Sequence, residues 1–538
     1  MIVQSTDAYN RKKSAQLTIE QLAPPEYSDM LPVWDMCDDV FRGEISVKTA
    51  GKYVYQPESK KKRPKAWAAY LGRGTLPDYA ASTLEKMCGI LSSTPPEITL
   101  DGKAERLKFF REYATPYRDG LDALADRVRR HILRSGRYCL LLEPDDNEEI
   151  GFHINEYKCR KFLRAKIAGE AGETYAELIL LDTSKIVYDT ASWRDVYVPQ
   201  ITLLGLDGAN RYYQAKFGGD AVSAVGIAGY KNGAPQYSSN DAYLTAMSTV
   251  FGMLERFDYK NPTPESCTEL IYPQKYSRTL DRIPFVCINP GDLSLTDIWN
   301  PPLLKLCLQC IHILDADCTY KTALFMTGDP QPVVTGANKK DVQTGSDSII
   351  WLPAGAKFEY VSPSGAGLAE QAQSITQMKA DAMQMGVSLA GQENLGNTPV
   401  GTMELYRNSQ TADLMRINQN SGKGIEQILR YAGSWLGMKA DEVARDIHFV
   451  PSNEFASIKA SAQECAAIAA ARKELQMTPE EVRIYIERNG LADPRPWEEV
   501  KAELDQVNAA SDESTLNSVA GAFGFGGNDD RNAGNAGE

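Results

Sequence analysis

Apolar positions recur at helical spacing in three long runs between residues 300 and 437, separated by one excursion and one glycine-rich loop. In the first run Leu303, Leu304, Cys307, Leu308, Ile311, Leu314 and Cys318 fall three and four residues apart, the spacing of one helix face. Asn300-Pro301-Pro302 predicts its start, because Asn can cap free amides and proline in the first turn gives up no needed donor. Thr327-Gly328-Asp329-Pro330 predicts its end, with Gly suited to a left-handed cap and Pro unable to continue the helix. Asp317 and Lys321 form an i,i+4 pair in the favourable order. The rod so defined is about 27 residues, or about 40 Å at about 1.5 Å per residue.

The second run carries the clearest pattern. Leu368, Ile375, Met378, Ala382, Met385 and Leu389 follow a seven-residue repeat interrupted once by Gln371, as in a packing seam. On another face Glu370, Gln373, Ser374, Gln377, Asp381, Gln384 and Ser388 make an unbroken polar stripe, as a wet helix side would. With few charges, the seams predict cover by neighbouring chains rather than by one subunit's own core. Between these helices, Val333-Val334, Ile349-Leu352 and Phe358-Val361 read as short strands. The loop Gly391-Gln392-Glu393-Asn394-Leu395-Gly396-Asn397-Thr398-Pro399-Val400-Gly401 then opens into a third helix, from Thr402 past Leu405, Leu414, Ile417, Ile425, Ile428 and Leu429 to Gly433. Ser421-Gly422-Lys423-Gly424 lies inside it. Two glycines cost a helix about 2 kcal/mol relative to alanine, so a kink or break is predicted there.

Upstream, the first 130 residues read mainly helical. Tyr27 to Phe41, Pro77 to Leu91, Ala104 to Tyr113 and Asp119 to Arg134 have amphipathic spacing, and Ser93-Thr94-Pro95-Pro96 interrupts the series. From Arg137 strands are predicted over Tyr138 to Leu142, Ala176 to Leu181, Val196 to Leu204 and Tyr212 to Phe217, with a short one at Arg282 to Ile288. Ala221 to Asn240 reads as a surface loop, and Tyr243 to Phe257 supports helix or strand. Downstream, Phe455 to Leu475 reads as a helix. Thr478-Pro479-Glu480-Glu481 is a capping box whose helix closes at Asn489-Gly490, and Pro494 to Val507 begins another. Residues 509–538 collapse to Gly, Asn, Ala, Ser and Asp, a composition expected to be disordered.

Length changes this picture by requiring more than one packed region in 538 residues. A net charge of −13 argues against gripping nucleic acid over a wide surface. No apolar run is long enough to span a membrane, and the first residues lack the apolar core of a signal peptide. Ten scattered cysteines fit reduced thiols in a cytosol. Cys307 and Cys310, followed by His312 and Cys318, lack a second ligand pair and fall on an apolar stripe, so core packing outweighs a metal site. The basic run Lys60-Lys61-Lys62-Arg63-Pro64-Lys65 fits a solvated loop as well as a contact to DNA or an acidic partner. There is no P-loop, no His-Glu-x-x-His and no Gly-x-Ser-x-Gly. His131, His153, His312 and His448 are far apart and read as structural. No enzyme, cofactor or metal is expected.

The order of these parts resembles the portal proteins of tailed bacteriophages. The likeness rests on Pro301-Pro302-Leu303-Leu304, on Thr327-Gly328-Asp329-Pro330-Gln331-Pro332-Val333-Val334-Thr335-Gly336, on Leu352-Pro353-Ala354-Gly355-Ala356, on Pro363-Ser364-Gly365-Ala366-Gly367, and on Met385-Gly386-Val387. It is best over residues 283–437 and looser in the N-terminal half. It implies an α+β fold, mainly α: a mixed wing (1–299), stem helices (300–327 and 367–390) flanking a small β-containing clip (328–366), a tunnel loop (391–401), a kinked wing helix and following segment (402–450), a helical crown (451–508) and a tail (509–538). It further implies a channel lined by Gln377, Asp381, Gln384 and Ser388, narrowed by Gln392, Glu393, Asn394, Leu395, Asn397 and Thr398. The stem would pack through Ile375, Met378, Ala382, Met385 and Leu389, and the clip would use Val333, Val334, Ile349, Ile350, Trp351 and Tyr360. Such a chain forms a homo-oligomer, a dodecamer by the resemblance, at one capsid vertex after assembly in the host cytoplasm. Double-stranded DNA passes through it without sequence specificity. Terminase, scaffolding protein, major capsid protein and head-completion or tail adaptor proteins would be its partners, with no membrane. A virion or coiled-coil assembly protein without a channel is the alternative, and a hydrolase with an unfamiliar site the third class.

Overall fold

The computed structural model describes residues 18–61, 63–145, 151–170, 173–231, 234–328, 331–335, 355, 357–361, 365, 367–389, 400–452, 478–488, 497–499 and 501–502. Helices and antiparallel sheets make the fold α+β. Two compact units divide the chain, 1–456 and 457–538.

The first unit opens with helices α1 (Pro25–Arg42), α2 (Glu44–Ala50), α3 (Pro64–Arg73), α4 (Tyr79–Leu91) and α5 (Leu121–Ser135). Leu121, Leu124, Val128 and Ile132 are all buried on one face of α5, and Gly136 ends it at φ +78°. The helix expected from Ala104 is a 3₁₀ segment, Gly102–Arg111. Its buried residues Ala104, Leu107 and Phe110 are spaced by three, which suits a three-residue turn better than one of 3.6. Before this segment lies strand β1 (Glu97–Leu100).

Next comes the strand-rich part: β2 (Tyr138–Pro144), β3 (Phe152–Lys158), β4 (Phe162–Glu170), β5 (Glu173–Asp182), β6 (Lys185–Asp189), β7 (Arg194–Val198), β8 (Gln200–Leu206), β9 (Tyr212–Gly218), β10 (Val225–Lys231), β11 (Ala234–Tyr237), β12 (Glu269–Ile271) and β13 (Phe285–Ile288). They form sheets ordered β12-β9-β8-β5-β4, β11-β10-β7-β6 and β13-β2-β3. The single strand expected over 196–204 is two strands in different sheets, parted at Pro199, which has no N–H to continue a ladder. The expected loop of 221–240 contains the β10–β11 hairpin. Helix α6 (Asn240–Arg256) settles the ambiguous stretch: Ser239 caps Ala242 N at 3.2 Å, and Tyr243, Ala246, Met247 and Val250 form one buried stripe.

Helix α7 (Leu304–Gly328) starts after its two prolines, which sit in a turn where Leu304 N donates to Pro301 O. Strands β14 (Gln331–Thr335) and β15 (Lys357–Val361) pair antiparallel, and α8 (Leu368–Leu389) and α9 (Val400–Trp435) follow. The expected break in the third helix is absent: α9 runs through both glycines. A Cβ on Gly422 would lie 2.5 Å from Pro451 Cδ, and one on Gly424 2.4 Å from Ile288 Cδ1. These glycines admit neighbours; they do not end the helix. Helix α10 (Ala440–Asp446) leads to β16 (Ile447–Val450), which pairs with β1.

One core joins α4, α5, α7 and α9 with β2 and β13; a second lies between the β8–β9 sheet, α6 and the start of α1. In the second unit α11 (Pro479–Arg488) has the expected cap: Thr478 N donates to Glu481 Oε2 at 2.7 Å, and Glu481 N to Thr478 Oγ1 at 3.2 Å. Residues 497–499 and 501–502 are helical. The helix expected over 455–475, the Asn489-Gly490 stop and the tail 509–538 lie outside the described residues.

Candidate functional site

Helices α7 and α8 form an antiparallel hairpin. A Cβ on Gly365 would lie 3.8 Å from Thr327 Cγ2 at one end, and one on Gly386 3.9 Å from Leu306 Cδ2 at the other; midway, Gln309 Nε2 donates to Met378 O at 3.3 Å. The two ends have opposite character. At the root Leu303, Leu306, Cys307, Cys310, Ile311, Leu314 and Cys318 are buried. At the tip Leu324, Phe325 and Met326 are exposed at 48%, 51% and 46%, and Arg73 lies over the Phe325 ring at 4.2 Å.

Close approaches hold the root against the N-terminal helices. A Cβ on Gly74 would sit 2.2 Å from Cys318 Sγ, and one on Gly386 2.6 Å from Thr83 Oγ1. The buried Asp317 carboxylate accepts from Thr75 N at 2.8 Å and pairs with Lys321 at 2.7 Å, so the i,i+4 pair also fastens the α3–α4 connection. Tyr70 Oη and Thr319 Oγ1 are 2.9 Å apart.

On α8, Ile375 and Ala382 are buried by the protein's own chain, and Met378 and Met385 are partly buried against the same core. Expected cover by a neighbouring subunit is thus replaced at Ile375 and Ala382 by α8's own packing partners; periodicity marks an apolar face without saying whose surface covers it. The side chains of Leu389 and Ser388 lie outside the described residues. Gln377, Asp381 and Gln384 are exposed, as are Glu370, Gln373 and Ser374. Gln377 Nε2 donates to Asp381 Oδ1 at 2.7 Å. Met383, 54% exposed, is a large apolar side chain open to solvent on another face of α8, on neither the apolar repeat nor the polar stripe. Of the strand-pair residues, Val333 and Val334 lie on β14, and Tyr360 on β15 opposite Pro332; Ile349, Ile350 and Trp351 lie outside the described residues. So do Gln392, Glu393, Asn394, Leu395, Asn397 and Thr398.

Titratable groups elsewhere are built into the fold. Cys310 and Cys318 are pushed up to about 11 by burial, which keeps them as thiols. His312 is exposed, and no cluster of three or more His, Cys, Asp or Glu exists among the described residues. His131 stacks on Tyr138 at 4.6 Å and is lowered to about 4 by burial and by the cations Lys158 and Arg134. His153 is raised by its contact with Glu143, burial opposing, with Asp145 on its other side. In the basic run, Lys61 pairs with Glu58 and the Lys60 ammonium lies 4.1 Å from the Tyr70 ring. No helix among the described residues is long and apolar enough to cross a membrane.

The chain is similar to a number of solved structures, two of them from gene transfer agent particles. One is the "Virion of native gene transfer agent (GTA) particle", at 11% identity over 76% of this chain and 93% of that one, with a TM-score of 0.32. The other is the "Neck of empty GTA particle computed with C6 symmetry", at 11% identity over 78% and 89%, with a TM-score of 0.30. No curated protein matches the chain. A family model described as a domain of unknown function (DUF4055) matches residues 302–436, the span of the α7–α8 hairpin and of α9 to its last turn.

Proposed function

We propose that this chain is the subunit of a portal: a ring at one capsid vertex through which DNA is packaged, retained and released, and on which terminase and head-completion or tail proteins dock. The observation that carries the reading is the helical hairpin. Its root is locked into a mixed α/β body, its tip exposes Leu324, Phe325 and Met326, and α8 presents a face with almost no positive charge. The order of parts that resembles portals supports the same reading. In it, Gln377, Asp381, Gln384 and Ser388 face the channel, the loop 391–401 narrows it, and the β14–β15 pair belongs to the clip. The chain supplies no catalytic group; translocation energy comes from a separate motor.

A duplex carries one charge per about 1.7 Å of axis, so a lysine-lined passage binds it by counterion release. Screening acts over about 8 Å at physiological salt, which confines the effect to side chains close to DNA. Rings assembled from the triple variant Gln377→Lys, Asp381→Lys, Gln384→Lys should retain duplex DNA at low salt and release it as salt rises. Negative-stain micrographs of the wild-type chain test the ring itself. Filaments or small particles in place of holed rings would favour an assembly protein without a channel. Variant rings with no salt-dependent DNA retention would remove α8 from the channel wall.

A further inference from the structure

The outer edge of β6 pairs with no strand among the described residues, since its sheet runs β11-β10-β7-β6. Edges of this kind are normally blunted by proline, inward charge or cover. The opposite edge follows that rule, because β11 carries Pro235. The β6 edge does not. Ile186, Val187 and Tyr188 are exposed at 47%, 39% and 54%, so both faces of the strand are open. Its hairpin with β7 ends at Trp193, which is 74% exposed, adopts φ +54° and packs edge-on to Tyr188 at 6.3 Å. The strand itself is held in shape. Its five residues pair in unbroken register with β7, and Asp189 accepts from Ala191 N at 3.0 Å and from Ser192 Oγ at 2.6 Å.

The sequence of this edge, Lys185-Ile186-Val187-Tyr188-Asp189, complements itself when turned around. We infer that β6 is a docking edge for the β6 of a second copy of this chain, paired antiparallel about Val187. That register sets Lys185 against the partner's Asp189, Ile186 against the partner's Tyr188, and Val187 against the partner's Val187. Opposite charges and an aromatic–β-branched pair then face each other directly, the combinations that stabilise cross-strand neighbours. Every pair in this register joins residues of the same parity, so the peptide groups that point away from β7 meet their counterparts whichever parity is outward. Lys185 has no ion-pair partner among the described residues, and Asp189 keeps its charge because its turn hydrogen bonds hold its carboxyl below the usual range. The contact is isologous and saturates at two copies. It depends on the edge alone and not on the portal reading.

The test uses the full chain. Val187→Cys places one cysteine opposite itself, and mild oxidation with a copper–phenanthroline catalyst should link two chains in high yield. The wild-type chain under the same oxidation controls for the native thiols. Lys185→Asp turns both attractive pairs into repulsive ones and should weaken association about tenfold in sedimentation velocity. The double variant Lys185→Asp, Asp189→Lys should recover that association, which general damage to the hairpin could not do. A folded Val187→Cys chain that stays unlinked overturns the inference, whether another protein covers the edge or nothing does. So does association that is indifferent to Lys185→Asp. Rings that form without linkage would leave the portal reading standing while this one falls.

Discussion

Gly424→Ala should change sign with its surroundings. Position 424 lies inside α9, where alanine in place of glycine ordinarily gains about 1 kcal/mol. Here the new methyl would meet Ile288 Cδ1 at 2.4 Å and Cγ1 at 2.5 Å. Ile288 is fully buried and opposite Tyr138 in the β13–β2 ladder, so its side chain has little room to yield. Overpacking of this kind costs about 1–3 kcal/mol, which outweighs the helical gain and leaves a net loss of about 1 kcal/mol. Ile288→Ala alone opens a cavity and should cost about 2–5 kcal/mol. In that background the obstructing atoms are gone, so Gly424→Ala should stabilise by about 1 kcal/mol. Gly89, on α4 with no atom within 4 Å of its would-be Cβ, supplies the control and should gain from alanine in the wild-type chain. Urea unfolding followed by tryptophan fluorescence reads these changes, since Trp435 is buried at the end of α9 and stacks on Phe152 at 5.5 Å. If Gly424→Ala stabilises the wild-type chain as Gly89→Ala does, close packing is not why glycine stands there.

Asp317→Ala should cost about 1–3 kcal/mol by leaving the Thr75 amide without its acceptor, Lys321 keeping Thr75 Oγ1 and solvent; Asp317→Asn, still able to accept from Thr75, should cost less, and hydrogen exchange at Thr75 separates the two. Ile375→Asp should destabilise the hairpin by several kcal/mol before any assembly is scored, because Ile375 is buried in its own chain; normal urea resistance in that variant would contradict its placement. His131, lowered in the folded protein to about 4, contributes stability that is present above its ordinary value of 6.5 and is lost as pH falls through about 4. His131→Phe keeps a ring against Tyr138 and should flatten stability between those pH values, as thermal melts across the window would record.

Local periodicity carried much of the fold into view. The buried stripes of α5 and the first three turns of α7 are legible in the spacing of their own residues, because those faces repeat every three and four positions. Where the period fails, so does the reading. Ala104, Leu107 and Phe110 fit an α-helix and a 3₁₀ segment alike until the backbone chooses. The β10–β11 hairpin hides because its strands are short and rich in Gly and Ala, which lack the β-branched signature. Strand β1 finds β16 across most of the chain, and nothing near Glu97 points to Val450. At the candidate site the polar face of α8 was readable, whereas the burial of Ile375 depends on neighbours that only the folded chain supplies.

The apolar stripe of α7 runs from Leu303 to Cys318, and past Lys321 a separate apolar cluster, Leu324-Phe325-Met326, has a different fate. Up to Lys321 the helix is fixed from several sides: Leu306 against Gly386 of α8 near its start, and Cys318, Asp317 and Thr319 against Gly74, Thr75 and Tyr70 further on. Each of these contacts needs a small residue or a hydrogen bond at one place, so together they set the axial position of α7 as well as its rotation. Past Lys321 the described approaches include Arg73 over Phe325 and Thr327 beside Gly365, while Leu324, Phe325 and Met326 are each about half exposed. Since about half of each is already covered, burying the rest would add about 1 kcal/mol apiece. In the proposed portal reading, a root fixed at these points presents Leu324, Phe325 and Met326 in the same place on every subunit, where a second protein would cover them.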